Sequence, residues 1–227
     1  MVHQFGNGSN HIIVVGGIHG GYEWNTILLA YQLIDHFQVN PQAVPETITL
    51  SIIPSSNPDG QVAATGREGR FLPTEVFSDT FPGRLNGNQV DLNRNWDCHW
   101  QPKALWRDQN VSGGESAFSE PETKVLRDFI LGKQPAVVIF LHSAANGVFA
   151  SGCADTHQPS LELAQLYGYA TGYPVHPRFS AYPITGDAGD WLSGQDIPSF
   201  SVELRNHWDL ETEKNVAGML AILDHFR

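Results

Sequence analysis

The sequence predicts an α/β fold of three layers, αβα, with a mixed and mostly parallel central sheet and helices on both faces. Residues 135–141 form a continuous apolar run, which is typical of a central strand covered on both sides. Strand-like runs at 11–15 and 46–54 flank the apolar-periodic segment 27–34, which is the pattern of a strand–helix–strand unit. The length of 227 residues, without repeats or linkers, indicates one domain spanning residues 1–227.

The composition is ordinary for an ordered globular protein, with 41% hydrophobic and 16% charged residues. The net charge of −11 argues against nucleic acid and against anionic membrane surfaces as partners. No run approaches the roughly 20 apolar residues that a membrane helix needs. The first ten residues lack the features of a signal peptide. We expect a secreted or periplasmic location if an N-terminal segment is missing, and a cytoplasmic one otherwise.

The first strand runs into a glycine-rich stretch, residues 16–21, that introduces two potential metal ligands. The strand at 11–15 precedes it and the helix-like segment 27–34 follows. His19 and Glu23 are spaced i, i+4, so on a helix they would share one face. Catalytic zinc sites use three protein ligands, so this pair requires one more. A structural histidine or a phosphate-binding loop is the alternative, although no G-x-G-x-x-G or G-x-x-x-x-G-K pattern follows.

The middle of the chain is rich in turn-forming and polar residues. Residues 56–60, Ser-Asn-Pro-Asp-Gly, predict a turn, and residues 61–89 predict a long loop, which inside a compact domain is either functional or disordered. Residues 90–98 place Asp, Asn and Arg between apolar residues, which favours a polar strand end at a site over a surface loop. Ser119 and Glu122 form a capping box that predicts the start of a helix.

The later strands carry polar side chains at informative places. The central apolar run ends at His142, and open α/β sheets place their sites at such carboxyl ends, so His142 is the candidate third ligand. Residues 198–205 predict another buried strand, interrupted by Glu203. Glu203 is a candidate general base, with a structural ion pair as the alternative. A glycine-rich loop at 182–191 and an amphipathic helix at 211–226 complete the chain.

Five motifs, in chain order, resemble those of the zinc carboxypeptidase (carboxypeptidase A-like) metallopeptidase family. They are His19…Glu23, Asn57-Pro58-Asp59-Gly60, Asp91-Leu92-Asn93-Arg94-Asn95-Trp96, His142-Ser143 and Val202-Glu203-Leu204-Arg205. The matches run from about residue 11 to about residue 205, with spacing similar to that of the family. The resemblance implies a zinc carboxypeptidase-like fold and an enzyme that hydrolyses the C-terminal peptide bond of peptides with a metal-activated water.

The resemblance also implies a role for each motif residue. One zinc ion would be bound by His19, Glu23 and His142, the two-histidine, one-glutamate set for which carboxypeptidase A is a standard example. Glu203 would be the general base. Asp91 would hydrogen-bond the first histidine, fixing its tautomer and raising its basicity.

Four further residues are implied to contact the substrate. Arg84 falls where the family keeps an arginine that polarises the scissile carbonyl, and Arg70 competes for this role across a variable loop. Asn93 and Arg94 match the pair that holds the terminal carboxylate, because a guanidinium binds a carboxylate through two parallel hydrogen bonds. Tyr182 matches the mobile tyrosine that closes over the substrate. The implied partner is a peptide with a free C-terminal carboxylate.

Three features depart from the family pattern or leave choices open. The family usually reads His-x-x-Glu, whereas one more residue separates His19 from Glu23 here. The specificity loop carries Asp187, which we expect to attract a basic side chain such as lysine, arginine or diaminopimelate. Cys98 and Cys153 border the same region, where they form either a disulfide, which would indicate an exported protein, or two free thiols.

Two other functions stay open at this level. A related zinc amidase or endopeptidase that acts on cell-wall peptide stems would use the same metal chemistry with a different pocket. A peptidase-like binding domain without turnover is the third alternative. The extra residue between the first two ligands favours that alternative, whereas the presence of every expected catalytic residue type argues against it.

Overall fold

The computed structural model describes all residues from 1 to 227. A seven-stranded sheet and a separate two-stranded hairpin contain the strands. In chain order these are β1 His3–Phe5, β2 Asn10–Val15, β3 Ile48–Ile53, β4 Lys103–Trp106, β5 Gln109–Ser112, β6 Val137–Ser143, β7 Gly147–Ala150, β8 Val175–His176 and β9 Ser199–Leu204. The α-helices are α1 Trp24–Val39, α2 Pro58–Thr65, α3 Pro121–Lys133, α4 Gln158–Thr171, α5 Ala188–Ser193 and α6 Thr212–His225.

The large sheet is mixed, with a parallel centre. Its strand order is β1-β3-β2-β6-β9-β7-β8. The four central strands, β3, β2, β6 and β9, pair in parallel, whereas β1 and β7 join them antiparallel. The carboxyl ends of β2, β6 and β9 therefore lie together at one edge of the sheet, which is where open α/β sheets bind ligands.

Two apolar layers cover the sheet. Helices α1, α4 and α6 pack on one face and share the larger core with alternate strand residues such as Ile12, Ile139 and Val202. Helices α3 and α5 pack on the other face, in a smaller core that contains Ile13 and Phe140. This alternation follows from the period of two along each strand. The predicted αβα fold with a mostly parallel sheet is thus confirmed.

Several local predictions were wrong. Residues 57–60 do not form a turn: Asn57 accepts a hydrogen bond from the backbone N–H of Gly60 and caps α2, with proline in the first turn. Residues 90–98 contain a 3₁₀ turn rather than a strand end. Helix α3 begins at Pro121 with Glu120 as its N-cap residue, whereas a Ser119 cap would start the helix one residue earlier. The Ser119 hydroxyl does not cap the helix but donates to the Glu120 carboxylate. Helix α5 begins at Ala188, inside the predicted loop 182–191, and extends two residues beyond it.

The longest helix, α1, has 16 residues. None of the helices combines the length and the apolar character that crossing a bilayer requires.

Candidate metal centre

Three side chains from distant parts of the chain converge at the carboxyl edge of the sheet. His19 follows β2, Glu23 directly precedes α1, and His142 is the penultimate residue of β6. Each side chain is buried, and one ligand atom from each lies within 4.8 Å of the others. The three predicted ligands are therefore brought together.

The chemistry of this donor set fits zinc. Two imidazoles and one carboxylate form a typical catalytic zinc site that leaves a coordination position open. The Nδ1 atom of His19 is buried and lies 3.4 Å from Asp91 Oδ1, without a hydrogen bond of normal geometry. Unpartnered buried polar atoms are rare in proteins. This one lies beside two further ligand-type side chains, which supports metal binding here.

The extra residue between His19 and Glu23 is accommodated by a 3₁₀ turn at Gly20–Glu23. The two ligands therefore do not share one face of an α-helix, as the i, i+4 spacing had suggested. Gly20 has φ of +47°, and a Cβ atom there would approach Gly83 O within 2.4 Å. A residue with a side chain would be strained and crowded at this position, so glycine is needed for the turn.

Electrostatics keeps the Glu23 carboxylate charged. Burial alone would raise the pKa of Glu23, but His19, His142 and Arg84 outweigh it and lower that pKa to about 2. Burial and the charge of Arg84 lower the pKa of His19, which favours the neutral imidazole that metals bind. Burial opposes charge on His142 as well, but Glu23 Oε2, 3.2 Å from its Nδ1, leaves the pKa of His142 raised.

Asp91 and Arg84 form a buried ion pair beside His19. Both Nε and Nη2 of Arg84 donate to Asp91 Oδ2, at 3.0 and 2.8 Å. Burial opposes the charge of Asp91, but Arg84 and His19 hold the pKa of its carboxyl well below the ordinary range. The Nη1 atom of Arg84 is 3.9 Å from Glu23 Oε1 and makes no hydrogen bond within the protein, and the Arg84 side chain lines the cleft. The competing Arg70 pairs with Asp35 at the surface, so only Arg84 reaches this centre.

Glu203 lies opposite His142 on the neighbouring parallel strand. Two cavities adjoin this centre, and the Glu203 side chain lines both of them. Its Oε2 accepts a hydrogen bond from the backbone N–H of Ala145 at 3.1 Å. Burial in the cleft raises the pKa of Glu203 to about 7; His142 opposes this shift and Glu23 adds to it. A carboxyl group with a pKa near neutrality is suited to accept and return a proton.

Arg94 is buried and has no carboxylate partner. Its Nε donates to Leu105 O and its Nη1 to Asn93 O. Arg94 belongs to none of the ion pairs of the protein. Buried arginines are rare unless paired with a negative charge. The guanidinium lines a cavity of about 660 Å³ that also borders His142 and Glu203, where it can receive an anionic ligand.

Asn93 and Asp187 are tied to each other next to Arg94. The amide of Asn93 donates to Asp187 Oδ2 at 2.7 Å and accepts from the backbone N–H of Ala188. Asp187 also caps α5, because its Oδ1 accepts from the backbone N–H of Asp190. Both carboxylate oxygens of Asp187 are therefore engaged within the protein. Its role toward a basic substrate side chain stays a prediction.

Tyr182 stands between the two cavities. It is half-buried and lines both, the first of about 660 Å³ and the second of about 500 Å³. Its ring lies 5.0 Å from that of Phe179, and it packs on the small cluster around Trp106. Movement of the Tyr182 ring would therefore change access to His19, Glu23 and His142 from both cavities.

Sequence reasoning missed two cleft residues, Trp106 and His207. Trp106 lies in the β4–β5 hairpin, and its ring covers the Arg84 guanidinium at 4.7 Å. Two short alternating runs separated by residues 107–108 were the available signal for that hairpin. His207 follows β9 and lines the second cavity, but no local pattern marks it.

Cys98 and Cys153 are joined by a disulfide across 55 residues. Of the two options left open by the sequence, the structure has the bonded one. Cys153 lines the larger cavity, and its carbonyl oxygen lies 3.0 Å from His99 Nε2. The bridge thus connects the segment after Arg94 to the wall of this cavity.

Three potential metal ligands, the carboxyl group of Glu203 and two buried arginines thus converge at the carboxyl ends of parallel strands in an α/β sheet. The zinc carboxypeptidase family model (Peptidase_M14) matches residues 3–215, so the chain belongs to the zinc carboxypeptidase family. Membership of this peptidase family supports a hydrolase activity and implies zinc as the metal.

Individual relatives are distant. A protein of Simulium vittatum named zinc carboxypeptidase is 28% identical over 226 residues, which is 89% of this chain and 72% of the relative. Murein peptide amidase A of Escherichia coli is 28% identical over 130 residues, 53% of this chain and 50% of the relative. The structure of bovine thrombin-activatable fibrinolysis inhibitor with a tick carboxypeptidase inhibitor superposes with a TM-score of 0.79 at 20% identity, covering 99% of this chain and 84% of that one. The last likeness shows the fold alone.

Proposed function

We propose that this protein is a metallocarboxypeptidase that removes the C-terminal residue of peptides. The observation that carries the proposal is the buried, unpaired guanidinium of Arg94, which lines the same cavity as His142 and Glu203. A C-terminal carboxylate would supply the negative charge that Arg94 lacks, through charge-assisted hydrogen bonds. Holding that carboxylate positions the last peptide bond beside Glu203.

The ligands in this proposal are His19, Glu23 and His142. Zinc held by them would act as a Lewis acid, polarising a carbonyl and lowering the pKa of a coordinated water. The neighbouring charges outweigh burial and keep Glu23 ionised for this task, and Asp91 stands next to the His19 ring.

The protein's own groups would then move the proton and stabilise charge. The Glu203 carboxylate takes a proton from the attacking water and returns it to the nitrogen of the leaving residue. The free Nη1 of Arg84 donates to the carbonyl oxygen of the scissile bond as negative charge develops. Arg94 and the remaining N–H of Asn93 hold the terminal carboxylate, and Tyr182 excludes water from the cleft when it covers the substrate.

The experiment compares three substrates for zinc-loaded protein: a peptide with a free C-terminus, the same peptide as its C-terminal amide, and a cell-wall muropeptide. We expect release of the last residue from the free acid and little from the amide. Arg94→Met should lower kcat/KM for the free acid about 10- to 100-fold, because one or two hydrogen bonds to a charged group are lost. Arg178→Met is the control, since Arg178 lines the same cavity but is exposed.

The second candidate is an amidase acting on muropeptides, favoured by the similarity to murein peptide amidase A. Cleavage of the muropeptide alone would establish it in place of the carboxypeptidase. If zinc-loaded protein left all three substrates intact, both hydrolase proposals would fail and the peptidase-like binding domain would remain.

A further inference from the structure

A second cavity adjoins the metal centre on the side away from Arg94. It has a volume of about 500 Å³ and shares His19, Tyr182 and Glu203 with the larger cavity. This inference rests on the proposed function, in which the larger cavity binds the C-terminal residue that is released. The second cavity then faces the part of the substrate that is retained, and His207 is on its wall.

His207 is held by a chain of hydrogen bonds. The buried amide of Asn25 donates from Nδ2 to the carbonyl oxygens of Asn206 and Asp209, at 2.8 and 3.1 Å. The Oδ1 atom of Asn25 lies 3.0 Å from Ser143 Oγ. The same Ser143 Oγ lies 2.9 Å from Nδ1 of His207.

This chain fixes which nitrogen of His207 carries the proton. Carbonyl oxygens only accept, so Asn25 must direct its NH₂ group at them and its Oδ1 at Ser143. The single hydroxyl proton of Ser143 therefore points to Asn25 Oδ1, because two acceptors 3.0 Å apart need a proton between them. Ser143 Oγ is left to accept, and His207 Nδ1 must donate to it. Nε2 consequently carries the lone pair, and it makes no hydrogen bond to the protein.

The surroundings keep this tautomer neutral and the ring in place. Burial lowers the pKa of His207, and the charges of Arg107 and Arg84 act in the same direction, against Glu23. The Tyr22 ring meets the His207 ring at a centroid distance of 5.0 Å and an angle of 61°. Tyr22 in turn contacts Trp106 at 5.3 Å. The imidazole is thus clamped between an aromatic pair and Ser143.

We propose that His207 is a specificity-determining residue whose Nε2 accepts a hydrogen bond from an N–H group of the retained part of the substrate. The wall of this cavity carries charges of both signs, Arg84 and Arg107 beside the carboxyl groups of Glu23, Asp108 and Glu203, so the lone pair of Nε2 rather than net charge determines the partner. The matching donor is a neutral amide N–H, as found on the residue before the scissile bond when that residue is itself acylated.

The test replaces one atom of the substrate. The first probe is an N-acyl-alanyl dipeptide that ends in the residue the wild-type protein releases best. The second is its lactyl analogue, in which an ester oxygen replaces the N–H of the alanine. The scissile amide is the same in both. The wild-type protein should prefer the N–H compound about tenfold in kcat/KM, the size expected for one neutral hydrogen bond. His207→Phe should abolish the preference, and His207→Gln should keep part of it because the amide oxygen can accept.

His225→Phe is the matched control, because His225 is an exposed histidine on α6 outside both cavities. It should retain the full preference. Equal preference in wild type and His207→Phe, with hydrolysis intact, would overturn this inference and leave the proposed function standing.

Nuclear magnetic resonance of ¹⁵N-labelled histidine gives a readout that needs no turnover. We expect His207 to show a protonated Nδ1 and an unprotonated Nε2 at neutral pH, and Nε2 to respond when the N–H compound, but not the lactyl analogue, is added. The opposite tautomer, or equal responses to both compounds, would overturn the inference. Failure of the proposed function would instead appear as lack of hydrolysis of every probe.

Discussion

The sequence offered Arg84 and Arg70 as candidates for the arginine that polarises the scissile carbonyl. Replacing each of them compares the loss of a buried ion pair with the loss of an exposed one. Arg84 and Asp91 form an ion pair whose side chains are 2% and 0% exposed. Arg70 and Asp35 form a second pair, in which the guanidinium contacts both carboxylate oxygens and the side chains are 48% and 46% exposed. In each pair the guanidinium makes two hydrogen bonds to the carboxylate. The pairs therefore differ mainly in solvent exposure.

We expect Arg84→Met to lower the free energy of unfolding by about 3–5 kcal/mol, because it leaves the buried Asp91 charge without its partner. Arg70→Met should cost only about 0–1 kcal/mol, because water replaces the lost interaction. With an m-value of about 3 kcal/mol per M, the urea midpoint of the Arg84 variant should fall by more than about 1 M. Part of this loss should be recovered in the double variant Arg84→Met/Asp91→Asn, which removes the unpaired charge.

The assay is equilibrium urea unfolding of metal-free protein with the disulfide intact. A chelator is needed because metal binding to the folded state would add its own stabilisation and hide the difference. Similar small shifts for both single variants would refute the assignment of a buried, strongly coupled pair. A double variant no more stable than Arg84→Met would show that the cost does not come from the Asp91 charge.

Three further outcomes are expected. Glu203→Gln should lower kcat at least about 100-fold while bound zinc, measured by mass spectrometry, is unchanged; His142→Ala should lose both, and retained zinc would contradict the ligand assignment. Burial and the charge of a neighbouring aspartate raise the pKa of Asp190 from 3.8 to about 7, so stability is lost as the pH rises between these values. The gain from Asp190→Asn in urea unfolding should therefore be about 1–3 kcal/mol larger at pH 8 than at pH 5, and a gain independent of pH would refute this. Replacing Cys98 and Cys153 by alanine opens a loop of 55 residues and should cost about 4 kcal/mol, whereas an unchanged midpoint would refute the cross-link.

The sheet and the convergence of His19, Glu23 and His142 could be predicted because their signals are local and strong. The run 135–141 is short, begins with a proline and is continuously apolar, which is typical of a buried strand, and a polar residue at its end is conspicuous. His142 and Glu203 were therefore found without any knowledge of strand order. The resemblance supplied the roles of Arg84 and Arg94, whose environments no local pattern describes.

Other features could not be predicted because the same residue types serve more than one structure. Asn57-Pro58 suits a turn and equally suits the first residues of a helix, and packing against the segment around Gly83 accompanies the helical choice. The competition between Arg70 and Arg84 depends on the path of a long loop, which residue spacing does not define. His207 was missed because it is connected to Ser143 and Asn25, which lie 64 and 182 positions away in the chain.

The parallel register that sets His142 opposite Glu203 has a consequence for how such proteins diversify. Neighbouring strands lie about 4.8 Å apart, and this interval is imposed by main-chain hydrogen bonds rather than by side chains. The distance between His142 and Glu203 is set by this strand pairing, so insertions or exchanges in the surrounding loops should leave it unchanged. Grafting the loops that wall either cavity from one relative onto another should therefore alter which molecules are accepted while leaving the reactive geometry intact.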